Sequence, residues 1–159
     1  MSGRRTGLVI VVAIAIAVAV SVAARRPVSG ASQAATGEPQ LIAATFRSAW
    51  CSSCKILEPN LAKAMPAFAG KAVEFVEFDF TFGEKEELAV LAAAHDLTRL
   101  YEANKGATGF TVLVDADTGA IVDTLTMNFS AKDMTRAIDR ALAIATYTDD
   151  RGPAAPAAP

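Results

Sequence analysis

The sequence predicts an α/β domain in which a mixed four-stranded sheet is flanked by helices. Three observations carry that expectation. An apolar run at residues 41–46 leads into Trp50-Cys51-Ser52-Ser53-Cys54-Lys55 and then a helix-like stretch over 52–68. A second strand-like run at 73–80 follows, so strand, helix and strand form one unit, expected to be parallel and right-handed. The runs 110–114 and 120–125 then flank Asp115-Ala116-Asp117-Thr118-Gly119, a hairpin signal with glycine at the left-handed position.

Taken in order, the chain begins with a short basic segment containing Arg4 and Arg5 and continues with the uncharged residues 8–24. Residues 1–26 therefore read as a membrane anchor or signal segment. As a helix, 8–24 would be roughly 25 Å long against a bilayer core of about 30 Å, so flanking Arg4, Arg5, Arg25 and Arg26 would snorkel. A cleaved signal is the alternative, with Ser21-Val22-Ala23 as a small-x-small site. Residues 27–39, rich in Ala, Ser, Gly and Thr, form a flexible linker. The domain spans 40–146, and 147–159 is a disordered Ala/Pro tail.

Within the domain, Pro59 falls inside the first helix and is expected to kink it. The mixed pattern of 73–80 suits a central strand covered on both faces. Residues 84–104 read as one helix, with Val90, Ala94, Leu97 and Tyr101 on a stripe facing the sheet. Glu84, Glu86 and Glu87 stand at its start, where negative charge is favourable. The last helix opens with Ser130-Ala131-Lys132-Asp133, a shortened capping box, and buries Met134, Ile138, Ala141, Leu142 and Ala145.

Both cysteines of the chain lie in one C-x-x-C. Three positions apart on an opening helical turn, their Cβ atoms would lie roughly 5–6 Å apart, a separation that suits a disulfide. The helix N-terminus favours a Cys51 thiolate and can lower a cysteine pKa from about 8.5 to about 3.5–7.5. From the motif alone, redox exchange stands beside a static disulfide, half of a metal site, and two buried thiols. A net charge of -2 with no basic stripe beyond the N-terminus gives no sign of nucleic-acid binding.

The element order and the residues around the cysteines resemble the thioredoxin family. Trp50 before the first cysteine, Lys55 after the second, and Pro59 five positions beyond Cys54 stand where that family has the same residues. The resemblance implies that Cys51 is the exposed attacking thiol, Cys54 the buried resolving thiol, and Trp50 a cover over the site. It implies a thiol-disulfide oxidoreductase acting on protein thiols and disulfides with a separate redox partner. The membrane-tethered domain would then face the periplasm or another extracytoplasmic side. Exchange needs only two sulfurs and access, so no cofactor is expected.

Several positions depart from the family pattern. Ser52-Ser53 replaces the usual Gly-Pro, a dipeptide that tunes reduction potential. Thr45 stands at the position of a buried aspartate, and Phe75 at that of the lysine facing it. Phe110, followed by Thr111, occupies the place of a cis-proline; the peptide before it is expected to be trans, since a cis bond there costs roughly 3–4 kcal/mol. Glu58 is a candidate proton acceptor for Cys54, and Arg47 a candidate to stabilise the Cys51 thiolate. His95, the single histidine, is the candidate third ligand if the cysteines bind copper or zinc in a metallochaperone-like module. A non-catalytic interaction domain is the remaining alternative. Tyr101 is expected to be a packing residue.

Overall fold

A computed structural model describes residues 37–82 and 85–149. Four strands, β1 (Leu41–Arg47), β2 (Val73–Asp79), β3 (Phe110–Asp115) and β4 (Ile121–Thr126), form one sheet in the order β2-β1-β3-β4. β1 and β2 are parallel, whereas β3 is antiparallel to both β1 and β4. Among the described residues four helices accompany the sheet: α1 (Cys54–Ala64), α2 (Lys85–Ala94), α3 (Thr98–Asn104) and α4 (Ala131–Asp149), with a 3-10 turn at Met65–Phe68 after α1.

β1 is the axis of the molecule because its residues alternate between two separate cores. Leu41 and Ala43 join Leu57 and Leu61 of α1 and Met134, Ile138 and Ala141 of α4 on one face. Ile42, Ala44 and Phe46 join Leu88 and Ala92 of α2 and Leu97, Leu100 and Tyr101 on the other. Each fully buried Leu or Phe in these clusters contributes about 1.5–3 kcal/mol of burial free energy. Tyr101 is wholly buried, as a packing residue should be. β2 lies at the sheet edge rather than in a central position, although four of its seven residues are buried.

The single helix expected over 84–104 is two helices. α2 stops because the Leu97 N–H donates to the Ala92 carbonyl at 2.8 Å and the Asp96 N–H to the Ala93 carbonyl at 3.4 Å, with Asp96 left-handed at φ 55°. That pairing is the Schellman closure, in which the residue past the C-cap is left-handed. The break resets the helical phase, so Val90 is 69% exposed and Ala94 is exposed, while Leu88 and Ala92 face the sheet instead.

α1 begins at Cys54 rather than Ser52 and runs through Pro59 without ending. α4 extends to Asp149, three residues into the stretch assigned to the tail. Its start is a reciprocal cap: the Asp133 N–H donates to Ser130 Oγ at 3.2 Å, and the Ser130 N–H donates back to the Asp133 carboxylate at 3.2 Å. The Ser130 hydroxyl and the Arg136 guanidinium hold the Asp133 pKa down at about 2. Gly119 closes the hairpin loop at φ 69°. No helix among the described residues is long and apolar enough to cross a membrane, and residues 8–24 lie outside them.

Candidate functional site

β1 delivers the chain to the C-x-x-C loop, and α1 takes it away. Cys51 and Cys54 form a disulfide with their Cα atoms 5.3 Å apart. Cys51 lies in the loop ahead of α1 and is half-buried; Cys54 begins the helix and is 1% exposed. The first N–H groups of a helix have no partner inside it. Here the Cys54 N–H donates to Cys51 Sγ at 3.1 Å. A donor aimed at that sulfur, at the positive end of the helix dipole, favours charge on it when the disulfide opens. No acidic residue stands in the first turn of α1 to oppose this.

The loop facing the cysteines comes from β3. Gly109 is buried at φ 99° and donates its N–H to the Phe46 carbonyl at 2.8 Å. A Cβ built there would lie 2.8 Å from Ser53 Cβ and 3.2 Å from Cys51 Sγ. Gly109 is therefore the backbone surface against which the disulfide rests. The Gly109–Phe110 peptide is trans, as expected. Phe110 does not face the sulfurs; its ring stacks on Phe46 at 5.1 Å, within an aromatic group that also holds Phe78, Phe80 and Tyr101. An aromatic residue is accepted at this position because it fills the core of the opposite sheet face.

Thr45 and Thr111 pair across β1 and β3, both buried, with their hydroxyl oxygens 2.9 Å apart. Thr45 does not face Phe75: the β1–β2 register sets it beside Glu77 and sets Phe75 beside Ala43. A carboxylate thus stands next to Thr45, and partial burial raises its pKa against the pull of Arg47. Changing Thr45 alone to Val strands the Thr111 hydroxyl in the core and is expected to cost about 1–3 kcal/mol; changing both to Val should restore most of that. Urea unfolding of the two single variants and the double variant measures the coupling.

Arg47 and Glu58 meet each other rather than the sulfurs. Arg47 Nε donates to Glu58 Oε1 at 2.9 Å, its Nη1 bonds Asp79 Oδ2, and Glu77 Oε1 is 3.7 Å from the same nitrogen. The Glu58 bond raises the already high Arg47 pKa. Glu58 is therefore engaged in an ion pair with Arg47.

Trp50 stands immediately before Cys51 and is largely exposed. Its ring meets Phe82 edge-on at 6.2 Å, leaving Trp50 76% and Phe82 85% exposed. Lys55, Ser52 and Pro59 are exposed, whereas Ser53 is half-buried against Gly109. His95 is not brought to the cysteines. It pairs with Glu74 at 3.2 Å and lines a cavity of about 570 Å³ with Ile42 and Ala116. That places it at the start of β1, whereas Cys51 follows the strand's end, roughly 15–20 Å away along a seven-residue strand. The metal reading thus loses its third ligand, and no group of three or more potential ligands occurs among the described residues.

Sequence reasoning passed over Gly109 as a contact of Cys51, and over Asp79, Thr81 and Phe82 altogether. Asp79-Phe80-Thr81 did carry a signal, since an aspartate side chain readily accepts the N–H two residues on; Asp79 Oδ1 accepts the Thr81 N–H at 2.8 Å.

No protein-family model matches the chain, and no curated protein matches it. Among solved structures, it is similar to StoA from Bacillus subtilis, at 18% identity over 64% of this chain and 84% of that one, with a TM-score of 0.44. It is also similar to a thiol:disulfide interchange protein of the thioredoxin family from Chlorobium tepidum TLS, at 18% identity over 65% and 80%, TM-score 0.46. Malassezia sympodialis thioredoxin shares 22% identity over 67% and 81%, TM-score 0.42. By its own strand order, its parallel β1–α1–β2 crossover and the seat of its paired cysteines, the chain has a thioredoxin-like fold.

Proposed function

We propose that the chain is a thiol-disulfide oxidoreductase that acts on protein thiols and disulfides through Cys51 and Cys54. The observation that carries this reading is the asymmetry of the pair: a half-buried Cys51 sulfur accepting a helix N–H, beside a buried Cys54. In the reducing direction the Cys51 thiolate attacks one sulfur of a substrate disulfide, and the other substrate sulfur leaves as a thiolate. Cys54 loses its proton and attacks Cys51 Sγ, which re-forms the Cys51–Cys54 bond and releases the second substrate thiolate. Two electrons pass from the pair to the substrate, and the two released thiolates take up protons. Run backwards, the same steps oxidise a substrate dithiol.

The reading places the domain outside the cytoplasm, tethered by residues 1–26 or exported after their cleavage, in a compartment where disulfides persist. It requires no cofactor. The test is the reduced full-length chain. A Cys51 thiolate should titrate, by ultraviolet absorbance, at least about one unit below the ordinary thiol value of about 8.5, and the chain should reduce insulin with turnover in dithiothreitol. A Cys51 thiol that titrates at the ordinary value, together with no insulin reduction, would sink the proposal.

A further inference from the structure

The segment that carries Cys51 out of β1 is held at its ends and in its middle by one connected set of polar bonds. At the ends, the Arg47 guanidinium links the last residue of β1 to Glu58, one helical turn beyond Cys54 on α1. The same guanidinium reaches Asp79 at the end of β2. From there the set continues inward to the loop. The Thr81 hydroxyl and N–H both donate to the Asp79 carboxylate; burial works against that charge, but these bonds and Arg47 outweigh it and hold its pKa low. Thr81 Oγ1 in turn accepts the Ala49 N–H at 2.7 Å. Ser48 takes two further donors of the loop, the Trp50 N–H on its hydroxyl at 3.3 Å and the Cys51 N–H on its carbonyl at 3.1 Å.

We propose that Arg47 and Thr81 are positioning residues that hold the C-x-x-C loop in its closed geometry while the disulfide is open. The inference rests on the oxidoreductase reading and deepens it. Its physical content is an effective concentration: the stability of an intramolecular disulfide depends on how often the freed Cys54 sulfur meets the Cys51 sulfur. A loop already fixed at Arg47, Ala49 and Glu58 has little freedom left to lose when the bond closes. Loosening it lowers that effective concentration and makes the protein disulfide easier to reduce. Arginine is required because its planar fork reaches a carboxylate on α1 and another on β2 at once, whereas the lysine ammonium is a point charge.

The test equilibrates the full-length protein and its variants in glutathione redox buffers and measures the fraction holding the Cys51–Cys54 disulfide. Arg47→Gln is expected to shift the exchange constant toward the dithiol by about tenfold, close to 30 mV for this two-electron couple. Arg47→Lys should stay shifted. Thr81→Ala, which removes only the Ala49 acceptor and one Asp79 donor, should shift it at least about threefold, and Thr81→Ser should restore the wild-type constant. A merely structural role would lower the melting temperature of oxidised and reduced protein alike and leave the constant in place. Folded variants whose constants stay within about twofold of a redox-active wild type overturn this inference alone. A wild type with no reversible disulfide overturns the oxidoreductase reading and this inference with it.

Discussion

Cys51→Ser is expected to abolish exchange, lowering insulin reduction by on the order of 10³-fold or more, because nothing else in the chain supplies a nucleophilic sulfur at the surface. Cys54→Ser should behave differently. It leaves the half-buried Cys51 sulfur and its helix N–H donor in place, so attack on a substrate disulfide still proceeds and stops at the mixed disulfide. Non-reducing electrophoresis and mass spectrometry of the two variants, mixed with an oxidised protein substrate, would show a stable adduct for Cys54→Ser and none for Cys51→Ser. The physical basis is access: Cys54 is 1% exposed and sits under the helix start, whereas Cys51 stands in the loop ahead of it. Equal trapping by both variants would refute the assignment of attacking and resolving sulfurs.

Gly109→Ala is expected to give the largest stability loss of any single methyl addition at the site. Two costs add. A side chain at φ 99° is strained by at least about 1–2 kcal/mol. The new methyl would also press into Ser53 Cβ at 2.8 Å and Cys51 Sγ at 3.2 Å, and an overpacked contact typically costs a further 1–3 kcal/mol or so. Gly106 separates the terms. It has a similar φ of 83° but open space where a Cβ would stand, so Gly106→Ala carries the strain alone. Thermal unfolding should show a drop of about 10 °C or more for Gly109→Ala and clearly less for Gly106→Ala. Equal drops would mean that the close approach to the disulfide contributes nothing.

What could be read from the sequence was whatever is written locally. The run at 41–46, the C-x-x-C and helix after it, and the hairpin around Gly119 each announce themselves within a few residues, and each begins within about two residues of where its pattern put it. The Ser130–Asp133 cap was legible for the same reason. The break between α2 and α3 was missed because its left-handed residue is Asp96 rather than glycine, and an uninterrupted period then assigned Val90 to the wrong face.

The support of the site was illegible for a different reason. Arg47 finds Glu58 eleven positions away and Asp79 thirty-two away, and Thr45 finds Thr111 sixty-six away. Such partners are fixed by strand register, and a shift of two residues exchanged Phe75 for Glu77 beside Thr45. Gly109 carries no signal of its own in the sequence beyond preceding a strand. Only the folded loop reveals that its missing side chain makes room for a sulfur.

His95 lies at the far pole of the sheet from the cysteines, clasped to Glu74. One imidazole in the whole chain yields a single pair of ring C–H resonances, at a distance where opening the sulfur bond is expected to leave its surroundings unaltered. Nature has in effect supplied an internal reference probe: a signal constant through oxidation and reduction certifies an intact scaffold, while its drift would flag unfolding rather than chemistry.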